Sequence, residues 1–211
     1  MENGTFDFNL FLRESRETLL NPKSYFTNLK LTGGIAEPLI KAVIYGALAG
    51  LISLIWGVLN LGIVMPSLIG TAVGFKAVLG AILSSVVGLF IGAVLLLVVS
   101  SICKGNTDFE ANLRVTASMM VFLPVSYLFQ VLSGIRLYLG LVVSLIIGLY
   151  TLWVLYNGIV AALKGQAASA KIVCYVLAVF IVLSSVMTMR TRHKVEMILH
   201  PELTEKTVEG E

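Results

Sequence analysis

Charge is what this sequence has least of. Asp, Glu, Lys and Arg make up 13% of its 211 residues, about half the share of an ordinary soluble domain. No Asp or Glu lies deep in a long apolar run; Glu37, Asp108 and Glu110 all sit at run ends. Proton-coupled transporters generally need an intramembrane ionisable relay, so that class loses its usual signature. Catalytic motifs are missing too: there is no H-E-x-x-H, no G-x-S-x-G and no glycine-rich phosphate loop. The two cysteines, Cys103 and Cys174, lack metal-ligand spacing and read as small packing residues. His193 and His200 lie seven apart in a polar tail and read as solvated. These absences imply a non-enzyme with no metal and no cofactor. The net charge of +3 is spread out, and no basic face with interleaved aromatics suggests nucleic acid. No basic segment leads straight into a short apolar core, so a cleavable signal peptide is not expected.

What is present is apolar length. Hydrophobic residues make up 57% of the chain and mean hydropathy is +0.93. Five runs stand out, at about 38–62, 74–103, 112–133, 137–163 and 170–189. At 1.5 Å per residue, about 20 residues cross a hydrocarbon core of roughly 30 Å. Each run reaches that length and none alternates like a barrel strand, so they read as membrane-spanning helices. The expected fold is an all-α integral membrane protein, a five-helix transmembrane bundle preceded by short amphipathic interfacial helices. Residues 1–37 form the N-terminal segment, 38–189 the transmembrane domain and 190–211 a polar C-terminal tail. The connections 63–73 (IVMPSLIGTAV), 133–136 (SGIR) and 164–169 (KGQAAS) are short, which makes sequential spans antiparallel.

Lys and Arg set the orientation. With the N-terminus inside, Arg13, Arg16, Lys23, Lys30, Lys41, Lys104, Arg114, Lys164 and Lys171 face the cytoplasm. Before the tail only Lys76 and Arg136 face outward; Arg190, Arg192, Lys194 and Lys206 follow in the tail and oppose the rule. The first spans usually dominate, so a cytoplasmic N-terminus is expected. Lys41, Lys76, Arg136, Lys164 and Lys171 lie near run ends, where they can snorkel.

The N-terminal segment carries its own pattern. FDFNLFLRESRETLLNP (6–22) places Phe8, Phe11, Leu12 and Leu19 near one helical face. Asn21 reads as an N-cap with Pro22 at the first helical position, and a second short helix stops at Gly33-Gly34. Its Tyr25 and Phe26, beside lysines, suit a membrane interface or a docking surface.

Small residues recur every four positions: Ala42, Gly46, Gly50; Gly80, Ser84, Gly88, Gly92; Gly140, Ser144, Gly148; and Ala170, Cys174, Ala178. Such rows let backbones approach closely in lipid, within one chain or between copies in a homo-oligomer. The deepest polar positions are Gln130 and Asn157, with Tyr127, Trp153 and Tyr156 nearby in the sequence. They can line a small site or serve as interhelical hydrogen bonds.

The polar stretch KGNTDFEANLRV (104–115) interrupts the apolar pattern. Thr107 to Glu110 fits a capping box, Asp108 and Glu110 suit the first helical turn, and Glu110 and Arg114 pair at i,i+4. Arg114 can then snorkel to headgroups, and Pro124 should kink the span. The stretch reads as a helix entry. With KGQAASAK (164–171) it also makes a candidate partner surface, comprising Lys104, Thr107, Glu110, Arg114, Lys164, Gly165 and Lys171.

NPKSYF followed by GG and EPLIKAV, then KGNTDFEANLRV ahead of a proline, then LWVLYNGIVAALKGQAASAKIV, together resemble the YIP domain family. These are five-span membrane proteins named for interaction with Ypt/Rab GTPases. The resemblance covers about residues 20–189. Arg114, Pro124, Gly158, Lys164 and Gly165 match family-like positions, to which no catalytic role attaches. It implies a non-enzymatic multi-pass protein with a cytoplasmic N-terminus and a GTPase-type or other membrane-protein partner. The N-terminal segment, only about 37 residues, is short for a eukaryotic relative, so a prokaryotic member in the cytoplasmic (inner) membrane is expected. The functional expectation is a scaffold or adaptor that binds protein partners or organises the lipid bilayer. A small channel or permease is the alternative.

Overall fold

The computed structural model describes residues 7–59, 75–135 and 137–199. The 63–73 connection, Arg136, His200 and Lys206 lie outside the described residues, as do the side chains of Arg190, Arg192, His193 and Lys194. All regular structure among the described residues is helical: α1 (Phe8–Leu20), α2 (Pro22–Asn28), α3 (Ala36–Val58), α4 (Phe75–Ile102), α5 (Phe109–Met119), α6 (Phe122–Phe129), α7 (Val131–Ile135), α8 (Leu137–Asn157), a π turn (Gly158–Ala162) and α9 (Ala167–Leu199).

Five segments are long and apolar enough to cross a membrane: Ala36–Val58, Lys76–Ile102, Phe109–Ser133, Tyr138–Ala162 and Ala167–Thr188. They match the five expected runs within a few residues. Helix α9 continues to Leu199, so the first part of the polar tail extends the last helix.

The first span packs along the second and also touches the third, which joins the fourth; the fifth rests against the fourth. The first small-residue row explains the closest approach. A Cβ on Gly46 would lie 2.8 Å from Ser85 Cβ, and one on Gly50 3.0 Å from Val78 Cα. Ser85 Oγ donates to the Ala42 carbonyl across the same contact at 2.9 Å. The second row behaves differently: a Cβ at Gly80 or Gly88 would meet nothing within 4 Å, while Gly92 meets Thr116 of α5.

The third span is broken at Met120–Val121, one turn before Pro124. Pro124 has no N–H and its ring displaces the carbonyl four residues back. The freed Met120 carbonyl accepts instead from Leu123 N–H at 2.9 Å.

Both N-terminal helices lie on the end of the bundle where α3, α5 and α9 begin. Their details differ from the sequence expectation. On α1 the buried residues are Phe11 and Thr18, while Phe8 and Leu12 point outward. The buried stripe is rotated because the surface it meets is polar: Ser15 Oγ lies 2.8 Å from Tyr45 Oη, and Glu14 reaches Lys41. Helix α2 ends at Asn28, short of Gly33-Gly34, and Asn21 caps it through chain direction without a side-chain hydrogen bond.

Candidate functional site

Two constellations occupy this N-terminal end of the bundle. The first is an ionic chain built on two buried cations and three part-exposed carboxylates. Lys41 Nζ lies 2.7 Å from Glu14 Oε2 and 2.8 Å from Glu37 Oε1. The other oxygen of Glu37 meets Arg114 Nη1 at 2.8 Å, and Arg114 Nε meets Glu110 Oε1 at 3.2 Å. Arg114 also donates to the carbonyls of Lys30 and Gly34. Glu110 accepts from the Gly34 N–H at 2.6 Å, so Gly34 is held through both its backbone groups. Its φ of 88° is open to glycine at little cost.

Arg114 and Lys41 are only 4% and 5% exposed. Neither snorkels, contrary to expectation. Arg114 stands on the buried side of α5, where Ala111 to Val115 are all buried, and a cation there requires carboxylates and carbonyls around it. Nearby, Tyr25 Oη and Ser118 Oγ are 2.7 Å apart, which ties α2 to the third span. Burial pushes the Tyr25 phenol above its ordinary value.

The capping box is also corrected. Asp108, not Thr107, caps α5, accepting from Glu110 N–H at 3.2 Å. Asn106 Oδ1 takes the Asp108 N–H and sets the chain entry one residue later. Glu110 is turned toward Gly34 and Arg114 and does not reach back to the cap. Asn112, fully buried, donates to the Asn106 and Asp108 carbonyls. Its Oδ1 has no hydrogen-bond partner among the described residues.

The second constellation joins the two Lys-Gly turns. Asn106 N–H donates to the Leu163 carbonyl and Gln166 N–H to the Cys103 carbonyl, both at 2.7 Å. The loops between spans two and three and between spans four and five thus bind each other reciprocally. A Cβ on Gly105 would lie 3.1 Å from Gly165 Cα, so glycine is what lets the strands of the two turns touch. Lys104 and Lys164 adopt left-handed conformations, φ 54° and 58°, and both side chains are exposed. The π turn before Lys164 arises where Leu163 N–H reaches the Gly158 carbonyl. It packs against α2, with Gly158 leaving room for Phe26 and Val115.

Of the candidate surface residues, Lys104, Lys164 and Gly165 come together in the paired turns. Thr107 and Lys171 are exposed, whereas Glu110 and Arg114 belong to the ionic chain. The intramembrane candidates separate. Asn157 is buried and donates to the Trp153 carbonyl, whereas Gln130 is exposed at the end of α6. Neither lines a cleft of about 940 Å³ whose walls come from α3, α4 and the third span, with Thr151, Leu155 and Leu177 from the fourth and fifth. Sequence reasoning missed Glu14, Lys30 and Gly34 as partners; the i,i+4 pair of Glu110 and Arg114 is the part of the chain that the sequence signals.

Five apolar spans, packed through glycine rows and closed at one end by a polar cluster, define an α-helical multi-pass membrane protein. The Yip1 domain profile matches residues 16–189, and the chain belongs to that family. Neither a curated protein nor a solved structure matches it significantly.

Proposed function

We propose that the chain is a non-enzymatic membrane scaffold or adaptor of the Yip1 domain type, working through the end of the bundle that carries α1, α2 and the paired turns. The observation that carries this reading is the way α1 is held. Its buried side is fastened by Glu14–Lys41 and Ser15–Tyr45, yet Phe8, Leu12 and Leu20 are 50–61% exposed. A preformed helix with outward apolar residues is suited to docking, because its ordering cost is met before a partner arrives. The proposed setting is a prokaryotic cytoplasmic membrane with this end facing the cytoplasm. A GTPase-type protein, another membrane protein and a second copy of the chain are the partner classes to test.

The test places a photo-crosslinking residue at Leu12 or Leu20 in native membranes. A reproducible protein adduct, lost in Leu12→Ser/Leu20→Ser with the chain still folded, is expected. Adducts to lipid alone at both positions would defeat the reading. The cleft favours a second reading, a small channel or permease, because Ser53, Ser84, Ser126 and Thr151 place hydroxyls along its walls. Solute flux into sealed proteoliposomes, tested over a broad panel, is its measurement; an inert preparation removes it.

A further inference from the structure

Two cavities share a wall where α2, α8 and α9 meet. The first, about 450 Å³, is lined by Lys23, Ser24, Thr27 and Asn28 of α2 and by Trp153 of α8. The second, about 250 Å³, lies between α8 and α9, with Leu149, Leu152, Trp153 and Tyr175 in its walls and Lys171 beside them. The first mixes polar side chains and a cation with the apolar walls of Leu20, Pro22 and Trp153; the second is apolar and aromatic and also carries a cation. Trp153 belongs to both and is 48% exposed. Lys23 and Lys171 are exposed, and neither has a carboxylate within ion-pair distance among the described residues.

Depth fits as well. Lys171 is four residues into the Ala167–Thr188 span, and Trp153 is nine from the end of Tyr138–Ala162. At 1.5 Å per residue these positions lie within about 15 Å of the same bundle end. Lys171, about 6 Å from that end, suits the boundary between headgroups and hydrocarbon, and Trp153, about 14 Å from it, lies at the level of an acyl chain. The second cavity opens on the sides of two spans that lipid surrounds, so its occupant is a molecule already in the bilayer.

We propose that α2, α8 and α9 form a site for one anionic phospholipid. Its headgroup pairs with Lys23 and Lys171, the Ser24 hydroxyl and the second amide N–H of Asn28 donate to headgroup oxygens while Thr27 donates to the Lys23 carbonyl, and one acyl chain lies along Leu149, Leu152 and Tyr175. Charge complementarity selects the anionic class, since basic pockets at the ends of membrane helices attract anionic headgroups. Leu20 stands in the wall of the first cavity as well as on the outward face of α1, so the docking reading is decided at Leu12 and the lipid site at Lys23 and Lys171, and either can fail without the other.

Trp56→Phe leaves Trp153 as the sole tryptophan of the full chain, which has two. In vesicles of phosphatidylcholine, brominated phosphatidylglycerol should quench Trp153 at lower mole fraction than brominated phosphatidylcholine does. Lys23→Gln and Lys171→Gln should each weaken that preference about fivefold. Equal quenching by the two lipids overturns the site. So does an equal loss in Lys104→Gln/Lys164→Gln, which would make the attraction a property of the whole basic end. Displacement of the lipid by millimolar inorganic phosphate also overturns it, by assigning the site to the free anion. If Trp56→Phe fails to fold, native mass spectrometry of the unmodified chain gives the same decision: an anionic lipid retained, and lost in the double lysine variant, supports the site, while indiscriminate retention refutes it.

Discussion

Helix α5 and helix α9 invert the rule of water-soluble proteins. The first is short and mixed, with Asn112, Arg114 and Ser118 among its residues, and all three are buried. The second is far more apolar, yet only 6% of its best membrane-spanning window is buried within the protein, against 33% for the third span. Lipid tails are as apolar as leucine, so an apolar helix has no drive to leave them. A polar group in the membrane must find protein partners. Polarity therefore fixes which helix becomes central, and apolar length fixes only that a helix crosses.

The hardest test of that contrast is Arg114→Ala. It removes one of the two cations on Glu37 and the donor to the Lys30 and Gly34 carbonyls, so stability should fall by about 2–3 kcal/mol. Thermal unfolding in detergent, with Arg114→Lys as the milder companion, measures it; an unchanged midpoint would mean the ionic chain is incidental. Next comes the packing of the first two spans. Gly46→Leu should cost about 1–3 kcal/mol by forcing α3 from α4, whereas Gly88→Ala should be silent, since nothing lies within 4 Å of its added methyl. Matching losses at the two positions would contradict the different roles assigned to the two rows. A smaller change has the opposite sign. Lys104→Gly relieves a left-handed backbone at φ 54°, and a gain of about 0.5–1 kcal/mol in unfolding free energy is expected. Last, Val179→Ala on the lipid-facing side of α9, at 59% exposure, should shift stability by less than about 0.5 kcal/mol. A large effect there would show that α9 is covered by something other than lipid.

Much of this was legible in the residues. The five spans follow from run length alone, and the break before Pro124 from its missing N–H. Both turns open on Lys-Gly, but no local pattern shows their pairing, since Asn106 and Leu163 are far apart in the chain and belong to different hairpins. Arg114 was read as a snorkelling residue because its nearest visible partner, Glu110, is local. Glu37 is 77 positions away in sequence, and the Lys30 and Gly34 acceptors are backbone groups that no side-chain pattern reveals. The N-cap slipped from Thr107 to Asp108 for a similar reason: Asn106 captures the Asp108 N–H and decides where the turn ends.

The reciprocal hydrogen bonds between the two turns have a mechanical consequence. The hairpin of spans two and three and that of spans four and five are pinned together backbone to backbone at one end, so neither can slide past the other along the membrane normal. Helices α7 and α8 pack against each other at the opposite end, so the same two hairpins are held there as well, and spans three and four form a post fastened near both faces of the membrane.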